Sequence, residues 1–145
     1  MSVMEVTEIM EILPHRYPFQ MVDRIIELDM ETGRVVGIKN VTNNELYFQG
    51  HFPGNPVMPG VLQMEAMAQV AGVMLNSRIG NQGKTAYFVS MNNVKFRKMV
   101  IPGDQLRIEV EPIRLRSRIA TVQGKAYVGD DLVSEGELTF GYGAE

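Results

Sequence analysis

The chain has 145 residues, of which 45% are apolar and 21% charged, with a net charge of −3 and no cysteine. That length supports one domain over residues 1–145 with a sizeable core, and the composition is ordinary for a soluble globular protein. The missing cysteines exclude disulfides, thiolate metal sites and a cysteine nucleophile, and the acidic balance argues against nucleic acid as a partner.

The N-terminal "MSVMEVTEIMEIL" has no basic n-region and no small-residue cleavage site, so no signal peptide is expected and a cytoplasmic location is. It predicts a short helix over residues 6–13, started by a capping box of Ser2 and Glu5 and stopped by Pro14. "FQMVDRIIELDMETGRVVGIKNVT" predicts two strands around the turn Glu31-Thr32-Gly33, with Gly33 supplying the backbone freedom. Next comes "GHFPGNPVMPG", which packs three glycines, three prolines and one of the chain's two histidines into eleven residues.

That loop leads into "PGVLQMEAMAQVAGVMLNSR", the clearest helix, over residues 59–77. Pro59 suits its first position, where a missing N–H costs nothing, and Leu, Met, Ala, Gln and Glu are good helix formers. Apolar residues cover most of its circumference, which marks a buried helix. Gln63, Glu65 and Gln69 interrupt it well short of the ~20 apolar residues of a membrane span, so no membrane is expected.

The rest is strand-like: "TAYFVSMNNVKF", "DQLRIEVEPIRLR", "SRIATVQGKAYVG" and "DLVSEGELTFGYG". Leu106, Ile108 and Val110 alternate with polar residues, and turns fall at Pro102-Gly103-Asp104 and Gly129-Asp130-Asp131. Short connections favour antiparallel pairing. The expected fold is α+β, one long helix wrapped by about six antiparallel strands. A single sheet covers only part of a helix that is apolar all round, so a homodimer is expected to cover the remainder.

Four residues are candidates for chemistry. Glu65, in the first turns of the buried helix, is expected to hold a proton more tightly than an exposed carboxylate and to serve as a general acid. Gln69, four residues on, shares its face and can orient it. His51 is available as a base near neutral pH, on a loop that Pro53, Pro56 and Pro59 stiffen. Gly60 offers an early free N–H at the positive end of the helix, suited to a carbonyl oxygen gaining negative charge. Read together as facing one cleft, they suggest proton abstraction next to a carbonyl with loss of a β leaving group. Structural roles for each remain open at this point.

"LPHRYPFQMVDR", "GHFPGNPVMPGVLQMEAMAQ" and "NVKFRKMVIPGDQL" together closely resemble the bacterial-type (3R)-hydroxyacyl-acyl-carrier-protein dehydratases of fatty acid synthesis, over essentially the whole chain. The resemblance implies the hot-dog fold, a dimer and often a trimer of dimers, and no metal or organic cofactor. It implies that His51 is the catalytic histidine and Glu65 the catalytic carboxylate, contributed by different subunits, and that the Gly60 N–H binds the thioester carbonyl. Tyr87 matches a tyrosine that lines or gates the acyl tunnel, with Phe88 as a neighbouring wall residue. Asn55 departs from the second histidine of many relatives. Glu65 stands where related dehydratase–isomerases carry Asp, which favours a dehydratase without isomerase activity. His15, in "PHRYPF", is read as structural.

The stretch from Lys95 to Arg118 holds seven basic and three acidic residues, a local +4 within a chain of −3. Such a surface suits an acidic carrier protein, with Lys95, Arg97 and Lys98 as the contacts and Arg114, Arg116 and Arg118 as a solvated strand face. The competing functions are a dehydratase with added isomerase activity, a hot-dog thioesterase and a non-catalytic acyl-binding subunit. A thioesterase leaves His51 without a role and matches the loop poorly, and retention of both His51 and Glu65 counts against the last.

Overall fold

The computed structural model describes residues 3–78, 81 and 84–142. Helix α1 spans Val6–Ile12, strands β1 and β2 span Arg24–Leu28 and Val35–Asn40, and a 3-10 turn covers Leu46–Gln49. The long helix α2 runs over Gly60–Asn76, followed by β3 (Ala86–Phe96), β4 (Gln105–Leu115), β5 (Ile119–Val128) and β6 (Asp131–Tyr142). The expected six strands are present and every neighbouring pair is antiparallel, in the order β1-β2-β4-β5-β6-β3. This is the hot-dog arrangement, with α2 lying against the curved sheet.

Three local expectations change. Ser2 lies outside the described residues, and the capping box of α1 is made by Glu5 and Glu8. Helix α1 stops at Ile12, one residue early, because Leu13 precedes Pro14 and is pushed into extended backbone. At α2 the proline sits one position outside: Pro59 has an extended ψ of 133°, and its carbonyl accepts the N–H groups of Leu62 and Gln63. Gly60 is therefore the first helical residue, and Ser77 caps the far end.

The β1–β2 turn is built as its residues dictate. Gly33 has a φ of +83°, in the region that favours glycine. The Thr32 and Glu31 N–H groups donate to Asp29 Oδ1 and hold its carboxyl below the ordinary range.

Helix α2 approaches the sheet closely because glycines face it. A Cβ at Gly37 on β2 would lie 2.7 Å from a Val70 methyl, and one at Gly124 on β5 would lie 2.8 Å from the Met67 sulfur. Into that contact go Met64, Met67, Val70 and Met74 from the helix and Leu106, Ile108, Val122 and Leu138 from the strands, all fully buried. Each such side chain contributes roughly 1.5–3 kcal/mol. Outside the sheet, Arg34 pairs with Glu27, Glu109 and Glu111 in water-facing contacts of the kind that add little stability.

The second half of α2 is buried on every side, but its first half is not. Val61, Leu62, Glu65 and Ala68 remain at least partly exposed, and they recur at helical spacing along one stripe. The sheet therefore covers α2 incompletely, as its all-round apolarity requires. The edge strand β3 is likewise open, with Tyr87, Phe88, Val89, Met91 and Phe96 all exposed.

Candidate active site

Backbone hydrogen bonds, as well as prolines, hold the loop before α2. The His51 N–H donates to the Tyr47 carbonyl at 3.0 Å, Phe52 and Asn55 exchange N–H bonds at 3.0 and 2.8 Å, and Val57 N–H donates to the His51 carbonyl at 2.9 Å. The Met58 N–H ties the loop to Val100 at 2.8 Å. Asn55 thus does its work in this loop through its backbone. The His51–Phe52 peptide is cis, and the two rings stack with centroids 4.0 Å apart.

The His51 ring is oriented by its Nδ1, which lies 2.7 Å from the Val57 carbonyl oxygen. A carbonyl only accepts, so Nδ1 carries a proton, and the neutral ring has its lone pair on Nε2. The residue faces a cleft of about 470 Å³ that is also lined by Gly60, Val61, Phe96, Arg97, Lys98 and Met99. Gly60 contributes an N–H that its helix leaves unused, at the positive end of the helix dipole. The lack of a side chain there has a second reason: a Cβ would lie 2.6 Å from Phe96 Cε1.

Glu65 opens elsewhere, into a small cavity of about 70 Å³ walled by Leu13, Ala68, Gly72, Phe88 and Phe140, with His15 and Gln69 beside it. Its side chain is 17% exposed, less open than a surface carboxylate and less enclosed than the sequence suggests. Gln69 orients it as expected and is itself fixed at every polar atom. Gln69 Oε1 accepts the Met21 N–H at 2.8 Å, while Nε2 donates to the Phe19 carbonyl and to Glu65 Oε2, each at 2.8 Å.

The expected residues therefore gather in two places. His51 and Gly60 share one cleft; Glu65, Gln69 and Phe88 share the other. Within one chain the histidine and the carboxylate do not face a common cleft, which corrects the simplest reading of the pair. Tyr87 is 62% exposed and lines neither cavity. Its neighbour Phe88 packs on Phe140 at 5.2 Å.

Lys98 and Arg97 border the His51 cleft. Both have carboxylate partners, Arg97 with Glu135 at 2.6 Å and Lys98 with Asp131 at 3.0 Å. Lys95 has no ion pair among the described residues. Three or more metal-ligating side chains do not cluster anywhere among the described residues, and no described helix is long and apolar enough to cross a membrane.

His15, read from the sequence as structural, stands beside Glu65. The Arg16 guanidinium donates to the carbonyls of Leu13, His15 and Met10. It pins the segment after α1 so that His15 Nε2 lies 3.6 Å from Glu65 Oε2. The available signal was scarcity: the chain has two histidines, and this one sits on a short Pro-flanked segment.

Comparison with known proteins follows the same line. Residues 13–137 match the family described as the FabA-like domain. A "3-hydroxyacyl-[acyl-carrier-protein] dehydratase FabZ" from Geotalea uraniireducens is 62% identical over 138 residues, covering 93% of this chain and 94% of that protein. The protein of the same name from Desulforamulus reducens is 53% identical, covering 97% and 99%. Among solved structures, the dehydratase heterocomplex ApeI:P from Xenorhabdus doucetiae aligns with a TM-score of 0.79 at 15% identity, covering 94% of this chain and 91% of that one. A hypothetical thioesterase with coenzyme A from Streptococcus pneumoniae aligns at 0.62 and 16% identity, covering 83% and 85%. The fold is shared across both chemistries; the sequence likeness is to the dehydratases.

Proposed function

The chain belongs to the FabA-like family, and we propose that it removes water from 3-hydroxyacyl thioesters of acyl carrier protein by an acid–base pair formed between two chains. Dehydration of 3-hydroxyacyl-[acyl-carrier-protein] is the activity named for its relatives at 62% and 53% identity. The observation that carries the mechanism is the His51–Val57 bond, which occupies Nδ1 and leaves Nε2 as the nitrogen for the base.

His51 Nε2 takes the α-proton of a (3R)-3-hydroxyacyl thioester. Negative charge passes to the thioester oxygen, which the Gly60 N–H and the positive end of α2 stabilise. The Glu65 carboxyl gives its proton to the β-hydroxyl, which departs as water and leaves the trans-2-enoyl thioester. Gln69 orients Glu65, and Phe88 forms part of the wall beside it, where the acyl chain runs. Tyr87 belongs to the same channel only once a second chain covers it.

The second chain is supported by the geometry of β3. This edge strand carries Phe88 at the Glu65 cavity and Phe96 at the His51 cleft. Exposed apolar edge strands invite pairing with another copy. A two-fold axis near Met91, mid-strand, sets the Phe88 end of one β3 against the Phe96 end of its partner, as an antiparallel pair requires. The Glu65 cavity of one chain then meets the His51 cleft of the other, and the exposed stripe at Val61, Glu65 and Ala68 lies beside that seam. Assembly of three such pairs into a hexamer follows the resemblance.

The direct test is product analysis with 3-hydroxyacyl carriers of several chain lengths. The expected product is the trans-2-enoyl carrier with loss of water and no free acid. Hydrolysis to free acid would support a thioesterase instead, and a cis-3 product would add isomerase activity.

Carrier docking is assigned to Arg97 and Lys98 at the cleft rim, with Lys95 nearby in sequence on β3. Because Arg97 holds Glu135 and Lys98 holds Asp131, Lys95→Glu with the neutral Lys98→Gln is the cleaner change. Its expected effect is a several-fold rise in KM at low salt that fades as salt screens the contact, with kcat unchanged. An unaltered KM at low salt removes the patch from the docking site.

A further inference from the structure

Three observations converge on the oxygen atoms of Glu65. Gln69 cannot exchange its roles, because its Oε1 is taken by the Met21 N–H, so toward Glu65 Oε2 it only donates. His15 Nε2 points at that same Oε2 from 3.6 Å, while its Nδ1 is buried with no partner. A buried N–H without an acceptor is the rarer defect, so the ring proton belongs on Nε2, facing the carboxyl. Glu65 Oε1 has no partner among the described residues.

We propose that His15 is a positioning residue for Glu65: with Gln69 it presents N–H groups to Oε2, so that the proton to be delivered rides on Oε1. The inference rests on Glu65 being the proton donor. When Oε1 releases its proton to the departing hydroxyl, the charge left on the carboxylate is met at Oε2 by donors already in place. The balance is simple: the Oε1–H bond breaks, water forms, and His15 gains and loses nothing. The gap of 3.6 Å exceeds a hydrogen bond, and bonds of this kind tighten when substrate fills the site. Of the residues lining this cavity, His15 and Glu65 are the titratable ones.

Packing and donation predict opposite rescues. The His15 ring stacks near Phe19 with centroids 6.5 Å apart, so His15→Phe preserves the ring and removes the N–H, whereas His15→Gln does the reverse. The expected result is a kcat of His15→Phe lower by roughly 10- to 100-fold, the worth of a hydrogen bond to a charged group. KM stays within about twofold, as expected when an interaction belongs to the transition state, and His15→Gln restores most of the rate. Full rate in His15→Phe, or better rate in His15→Phe than in His15→Gln, overturns the proposal. Glu65→Gln, measured alongside, separates the two layers. If it retains wild-type rate the donor assignment itself falls; if it is inactive while His15→Phe is fully active, only the role of His15 falls.

Discussion

Replacing His51 with alanine is expected to lower kcat on a 3-hydroxyacyl carrier thioester by about 10²- to 10⁴-fold, the usual contribution of a positioned general base. The ring does one thing no neighbour can replace. Its Nδ1 is committed to the Val57 carbonyl, and the other residues of the cleft offer cations, apolar groups and an amide, none of them a base. His51→Asn is the control for structure, since its amide can still donate toward Val57 without abstracting a proton. Glu65→Gln removes the proton on the other side of the reaction while keeping shape and the ability to bond Gln69, and a loss of similar size is expected. Both variants should melt with the parent, because neither side chain belongs to the buried core. Near-normal dehydration by His51→Ala would sink the assignment of the base, and wild-type rate in Glu65→Gln that of the acid.

Mixing those two inactive variants is expected to restore activity. If each reaction centre takes His51 from one chain and Glu65 from the other, a mixed pair contains one centre with both residues intact and one with neither. Random exchange makes half of all pairs mixed, so the recovered rate approaches about one quarter of the parent's. Separate tags on the two chains verify that mixed pairs have formed. Mixed pairs without activity would place both residues of a working centre in the same chain, against the separation of the two cavities along β3.

Most of the fold was legible because its signals are local. The six strands announce themselves by alternation between turns, and Gly33, Gly103 and Gly129 all adopt the positive φ that their turns need. The apolar circumference of α2 marked it as the buried element. Ends were less legible, since a proline signals a boundary without saying on which side of it the helix stops. The candidate site was half legible. His51, Glu65, Gly60 and Gln69 could be picked by residue type and spacing, and the Glu65–Gln69 contact follows from helical geometry alone. Which cavity each side chain enters could not be read, because that depends on β3, which is 21 residues beyond Glu65 at its start. The position of His15 beside Glu65 could not be read either. Its nearness to Glu65 is made by Arg16 folding the chain back on itself, a tertiary event with no period in the sequence.

One feature of α2 reaches further. Gly60 and Glu65 are five residues apart on a single rigid helix, yet they look into different cavities. In the paired arrangement one helix therefore serves two reaction centres, its first N–H at one and its carboxyl at the other. In that pairing the spacing of Gly60 and Glu65 along one rigid element sets the placement of groups in both centres at once.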